Sequence, residues 1–149
     1  MNKVYDLNKI LPHNYPMILI DDLISVDMEN RSVKASVHID ENKIFFDREI
    51  KGIDALVGIE YMAQCIGCYA YFRNGEQEPK IGFLLGTRSY EISIEKFELG
   101  QTYFIEAKEV FTDNELVSFE CFIYNGDMEC AKATINVYQP QDVSLISNM

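Results

Sequence analysis

The chain is short of positive charge. Its 149 residues carry 13 Lys and Arg against 24 Asp and Glu, a formal net charge of -11. So acidic a chain has little with which to neutralise a phosphate backbone, which argues against nucleic acid as a partner. The same deficit argues against docking on anionic membrane surfaces. Histidine is scarce as well, with only His13 and His38. The motif Cys65-Ile66-Gly67-Cys68 therefore has no second Cys-x-x-Cys and no His pair to complete a zinc set. No metal and no cofactor is expected, and Cys65, Cys68, Cys121 and Cys130 read as small core hydrophobes. The first 16 residues, MNKVYDLNKILPHNYP, lack the basic start, apolar run and small-residue cleavage site of a signal peptide, so the expected location is the cytoplasm. Repeats, linkers and low-complexity runs are also missing. At 48% hydrophobic and 25% charged, residues 1–149 suit one globular domain, with 141–149 as a frayed tail.

What the chain does have is one long apolar stretch, Asp54 to Phe72, DALVGIEYMAQCIGCYAYF. A helix apolar on nearly every side is normally enclosed on every side. Its length would span a membrane, but Glu60 and Gln64 lie mid-span, Gly58 and Gly67 interrupt it, and no positive cluster flanks it. It is therefore expected to be a central helix with Asp54 as N-cap and Asn74-Gly75 as the stop, and no membrane insertion is expected. Glu60 and Gln64 are four apart and share one helix face. A carboxylate in such surroundings needs either a structural partner or a chemical use.

The rest reads as short elements around this helix. Residues 6–12 predict a short helical lead-in. Met17 to Val26 is strongly apolar and predicts a strand, paired as a hairpin with the alternating Ser32 to Ile39. His38 falls on the polar face of that alternation and reads as a surface residue. Residues 40–53 predict an irregular loop over the core. Four further strands follow: Ile81 to Ile94, Gln101 to Phe111, Leu116 to Tyr124 and Glu129 to Tyr138, with Asn125-Gly126 as a hairpin turn. The fold class is α+β: a curled antiparallel sheet of about six strands wrapped around one long central helix. The free sheet edges suggest a dimer.

This order and several motifs resemble the hot-dog fold, specifically the beta-hydroxyacyl-(acyl-carrier-protein) dehydratases. Leu11 to Asp21, LPHNYPMILID, is similar to their LPHRYPFLLVD segment. Glu60-Tyr61-Met62-Ala63-Gln64 resembles their E-A-M-A-Q helix, and Leu99-Gly100-Gln101 stands where they carry P-G-D-Q. A more specific resemblance is to the short dehydratase-like proteins of aryl-polyene and related type II polyketide or fatty-acid clusters. It rests on Pro12 to Met17, Gly58 to Gln64, Ser118 to Cys121 and Asn136 to Pro140. One departure matters. The standard enzymes carry their catalytic base in Gly-His-Phe-Pro before the helix. Here the region reads Phe45 to Gly52, FFDREIKG, with no histidine.

The resemblance implies removal of water from a 3-hydroxyacyl thioester carried on an acyl carrier protein. That chemistry needs a base for the proton beside the thioester carbonyl, an acid for the departing hydroxyl, and amide donors for the enolate oxygen. Glu60 is the expected acid and His13 the candidate base. Gln64 would orient Glu60, Tyr15 would line or gate the substrate tunnel, and backbone N–H groups at the helix start, near Ala55, Leu56 and Val57, would hold the thioester oxygen. Carrier proteins are acidic, so a basic patch of Lys80, Arg88 and Lys96, or a more basic hot-dog paralogue in a heterodimer, would do the docking. Two alternatives stand beside the dehydratase. One is a non-catalytic hot-dog subunit that binds acyl chains or completes a dehydratase. The other is an acyl thioesterase in which Glu60 activates water.

Overall fold

The computed structural model describes residues 5–11, 17–73 and 83–138. Its first element is the short helix α1, Leu7–Ile10, which Asp6 caps by accepting the Asn8 N–H at 3.0 Å. Strands β1 (Asp22–Asp27) and β2 (Ser32–His38) form a hairpin. Two short strands follow, β3 (Phe46–Asp47) and β4 (Gly52–Asp54). A 3-10 turn, Ala55–Val57, leads into the central helix α2, Gly58–Arg73. The chain closes with β5 (Phe83–Ile92), β6 (Lys96–Glu98), β7 (Thr102–Asp113), β8 (Leu116–Asn125) and β9 (Met128–Tyr138).

Six strands make one antiparallel sheet in the order β1-β2-β7-β8-β9-β5, with α2 packed on its inner face. Period-two alternation chooses that face. Val33, Ala35 and Val37 on β2, and Val117, Phe119, Cys121 and Ile123 on β8, are all buried. The registers align one row across the whole sheet: Leu23, Ala35, Ile105, Ile123, Ala131 and Ile92. Alanine at two positions of that row leaves room for a helix to lie close. All four cysteines are buried in the core. Cys65 Sγ lies 3.8 Å from the Val33 carbonyl and 3.7 Å from that of Ile105, and burial pushes its thiol well up. This is the hot-dog arrangement expected from the sequence.

Three expectations are corrected. Residues 40–53 are not loop throughout: β3 and β4 join β6 in a separate three-stranded sheet. Accordingly, the strand expected over 81–94 ends at Ile92, and Lys96–Glu98 pairs with β4 instead. The first strand starts at Asp22, not Met17, because the backbone of residues 17–20 bonds to the Gln64 side chain, described below. The hairpin at Asn125-Gly126 is present, and Gly126 takes the left-handed φ of +60° that glycine adopts without strain.

One charged cluster went unseen in the sequence. Glu109, on β7, follows Tyr103, Ile105 and Ala107 in phase and is only 5% exposed. Its carboxylate accepts from Arg73 Nε at 3.1 Å, Thr112 Oγ1 at 2.9 Å and Tyr69 Oη at 3.3 Å, with Arg31 at 3.7 Å. These partners offset the cost of burying the charge and fasten the last turn of α2 to the sheet.

Candidate active site

The site is built where the side sheet hands the chain to α2. Asp54 Oδ1 accepts the Leu56 N–H at 2.8 Å, the cap expected from the sequence. The Ala55 N–H donates to the Glu95 carbonyl at 3.2 Å. Two of the N–H groups expected to hold a thioester oxygen, those of Ala55 and Leu56, are therefore already bonded within the chain. The Leu56 side chain, by contrast, is 69% exposed. At Gly58 the helix passes so close to its neighbours that a Cβ would overlap the Tyr90 hydroxyl oxygen and meet Phe97 Cζ at 3.0 Å.

Glu60 lies in the first turn of α2. The helix is not enclosed all round. Ile59, Glu60, Ala63 and Gly67 form a half-buried stripe, while Tyr61, Met62, Gln64, Cys65, Ile66 and Cys68 are buried. The sheet covers one side of the rod, and Leu11, following α1, closes the other at Gly67, where an added Cβ would meet Leu11 Cδ2 at 3.0 Å.

Gln64 is 1% exposed and acts as a bracket. Its Oε1 accepts from Leu19 N at 2.8 Å and Ile20 N at 3.4 Å, and its Nε2 donates to the Met17 carbonyl at 2.7 Å. The same Nε2 lies 3.5 Å from Glu60 Oε1. One amide thus supports the 17–20 segment and stands beside the carboxylate, a use that sequence spacing alone did not reveal. Residues 18–20 also line a cleft of about 440 Å³, together with Tyr5 to Asn8, Asp21, Asp40 and Asn42 to Ile44. Lys43 pairs there with Asp21.

His13 and Tyr15, candidate base and candidate tunnel residue, lie outside the described residues, as do Lys80 and the Arg88 side chain of the supposed basic patch. Lys96 spends its ammonium on the Ile50 carbonyl at 2.6 Å. His38 is exposed and bonds Thr102 Oγ1 through Nδ1 at 2.9 Å, as a surface histidine should. The region that departs from the dehydratase motif is the β3–β4 hairpin. Its Glu49 N–H is held by Asp47 Oδ1 at 2.9 Å, and it contains no histidine. Among the described residues no cluster of His, Cys, Asp and Glu is arranged to hold a metal.

Comparison with known proteins bears on what this arrangement is for. A 3-hydroxyacyl-[acyl-carrier-protein] dehydratase, FabZ, of Wolbachia sp. subsp. Brugia malayi is 28% identical over 137 residues, 89% of this chain and 92% of that one. The FabZ of Chlamydia trachomatis serovar L2 is 31% identical over 87 residues, 56% of this chain and 57% of that one. In fold, the chain superimposes on the dehydratase heterocomplex ApeI:P from Xenorhabdus doucetiae with a TM-score of 0.85, at 24% identity over 98% of each chain. No helix among the described residues is long and apolar enough to cross a membrane. The ApeP-like model, described as ApeP dehydratase, matches residues 5–148, a span that takes in Glu60, its Gln64 bracket and the sheet around them, and so this chain belongs to the ApeP-like dehydratase family.

Proposed function

We propose that this chain serves the dehydration of 3-hydroxyacyl thioesters on an acyl carrier protein, as in fatty-acid or aryl-polyene-type biosynthesis. A base takes a C2 proton, the C3–O bond breaks as its oxygen receives a proton, and water leaves behind a C2=C3 double bond. Glu60 protonates the departing hydroxyl. His13 is the base available within the chain. It stands four residues before Met17, whose carbonyl is bound to the amide beside Glu60. Gln64 orients Glu60, while Tyr15 and the exposed Leu56 side chain line the acyl path. The observation that supports the reading is the Gln64 bracket, which joins Met17, the last residue of the Pro-His-x-x-Pro-Met motif, to the amide beside the helix carboxylate.

A second reading is favoured by the β3–β4 hairpin, which lacks the usual catalytic histidine. In it the chain is one half of a heterodimer with a hot-dog paralogue, and the partner supplies the missing base. Exposed apolar side chains suit such a contact: Ile44, 46% exposed, and Phe45, 44%, just before β3, and Leu56, 69%, just before α2. A less acidic partner would also dock the acidic carrier more readily than a chain of net charge -11.

Purified protein, alone and mixed with candidate paralogues, is assayed for loss of water from a 3-hydroxyacyl carrier thioester. Activity that falls about a hundred-fold or more in Glu60→Gln supports the dehydratase. Activity only in the mixture supports the heterodimer. Release of free thiol would make the protein a thioesterase and overturn both.

A further inference from the structure

Tyr90 is a residue that neither the sequence motifs nor the dehydration chemistry calls for. It sits on β5, an edge strand of the main sheet, just after the second of two register shifts in the pairing with β9, and packs against the core. Its hydroxyl donates to the Ala55 carbonyl at 2.6 Å. That carbonyl also accepts the Gly58 N–H that closes the 3-10 turn. Ala55 is therefore held on both sides from one segment: its carbonyl by Tyr90, its N–H by Glu95 just after β5. The hydroxyl fills the space where a side chain at residue 58 would be, so glycine there and tyrosine at 90 are matched in shape. Two residues further on stands Glu60. Burial pushes the Tyr90 hydroxyl up to about 12, so it remains a donor throughout the neutral range.

We infer that Tyr90 is a positioning residue for the Glu60 site: its hydroxyl fixes the 3-10 turn from which the Glu60-bearing helix starts. The inference rests on Glu60 being the acid of the dehydratase reading. Sub-ångström placement of a reacting group is worth large factors in rate, whereas binding of a long acyl chain is spread over many contacts. Loss of the hydroxyl should therefore lower kcat and leave KM nearly unchanged.

The test uses the active preparation, the chain alone or with its paralogue. In Tyr90→Phe, kcat is expected to fall about ten-fold with KM within about two-fold, at a temperature where both proteins are fully folded. Gly58→Ala places a methyl group against the hydroxyl oxygen and should be more impaired than wild type. In the Tyr90→Phe background that oxygen is gone, and the same Gly58→Ala change should cost less. Hydrogen exchange at residues 55–60 should quicken in Tyr90→Phe while the amides of β7 and β8 keep their protection. An unchanged kcat in Tyr90→Phe overturns the inference, as does an equal cost of Gly58→Ala in both backgrounds. If wild type dehydrates nothing under any pairing, the dehydratase reading fails. The exchange pattern then decides separately whether Tyr90 fixes the turn.

Discussion

At the scale of single residues, one buried polar side chain holds a stretch of backbone in place. That side chain is Gln64. Its amide is matched with one carbonyl and two N–H groups of a segment that has no strand partner there. Gln64→Leu keeps the bulk and removes the matches, so Leu19 N, Ile20 N and the Met17 carbonyl lose their partner. An unpaired buried backbone group costs about 1–3 kcal/mol, and the substitution should destabilise by about 2–4 kcal/mol in urea unfolding. A loss within about 0.5 kcal/mol would mean that water replaces the amide readily. Glu60 and Gln64 were legible in the sequence as a pair on one face, but the destination of the amide was not, since it lies 44 to 47 residues away in the chain. Glu109 was legible in principle. Tyr103, Ile105 and Ala107 set a phase in which position 109 faces the core, and a charge in that phase is the signal for a buried partner.

At the scale of elements, α2 is fastened differently at its two ends. Its start rests on backbone and hydroxyl bonds from β5 and the residues after it, while its last turn hangs on Glu109. Arg31 is 62% exposed and Arg73 36% exposed, so both can turn to water when the carboxylate goes, and Tyr69 Oη is the group left buried. Glu109→Leu should therefore cost little in global stability, under about 2 kcal/mol. Its signature should be faster amide exchange in residues 68–73 with no change in residues 58–62. Uniform loosening along the helix would refute this division of labour. The strands that alternate over six or more residues were readable in advance, as Val117 to Ile123 shows. The side sheet was not, because strands of two and three residues are too short to display a period. Residues 17–20 read as strand on composition, and Gln64 outcompeted the sheet for their amides.

At the scale of the whole molecule, the core is rich in groups that resist losing a proton. Burial raises the Cys68 and Cys121 thiols from 9.0 to about 12 and the Tyr90 hydroxyl from 10.0 to about 12. Below pH 9 these groups are protonated in both the folded and the unfolded chain and leave stability unaffected. Above it the unfolded chain ionises first, so stability falls progressively from pH 9 to about 12. Urea midpoints measured from pH 7 to 11 should stay level to about pH 9 and then drop. Cys121→Ala should flatten part of that drop while lowering the plateau. A midpoint insensitive to alkali would mean that the core admits water.

The two rims of the main sheet are not alike. The β1 rim begins and ends in aspartate, at Asp22 and Asp27, so a second copy laid antiparallel along it would bring like charges together. The β5 rim carries no such pair of aspartates. Growth by joining like rims, β5 to β5 and then β1 to β1, would therefore meet that repulsion at every second joint. Two copies joined through their β5 rims would offer a third only aspartate-flanked β1 rims.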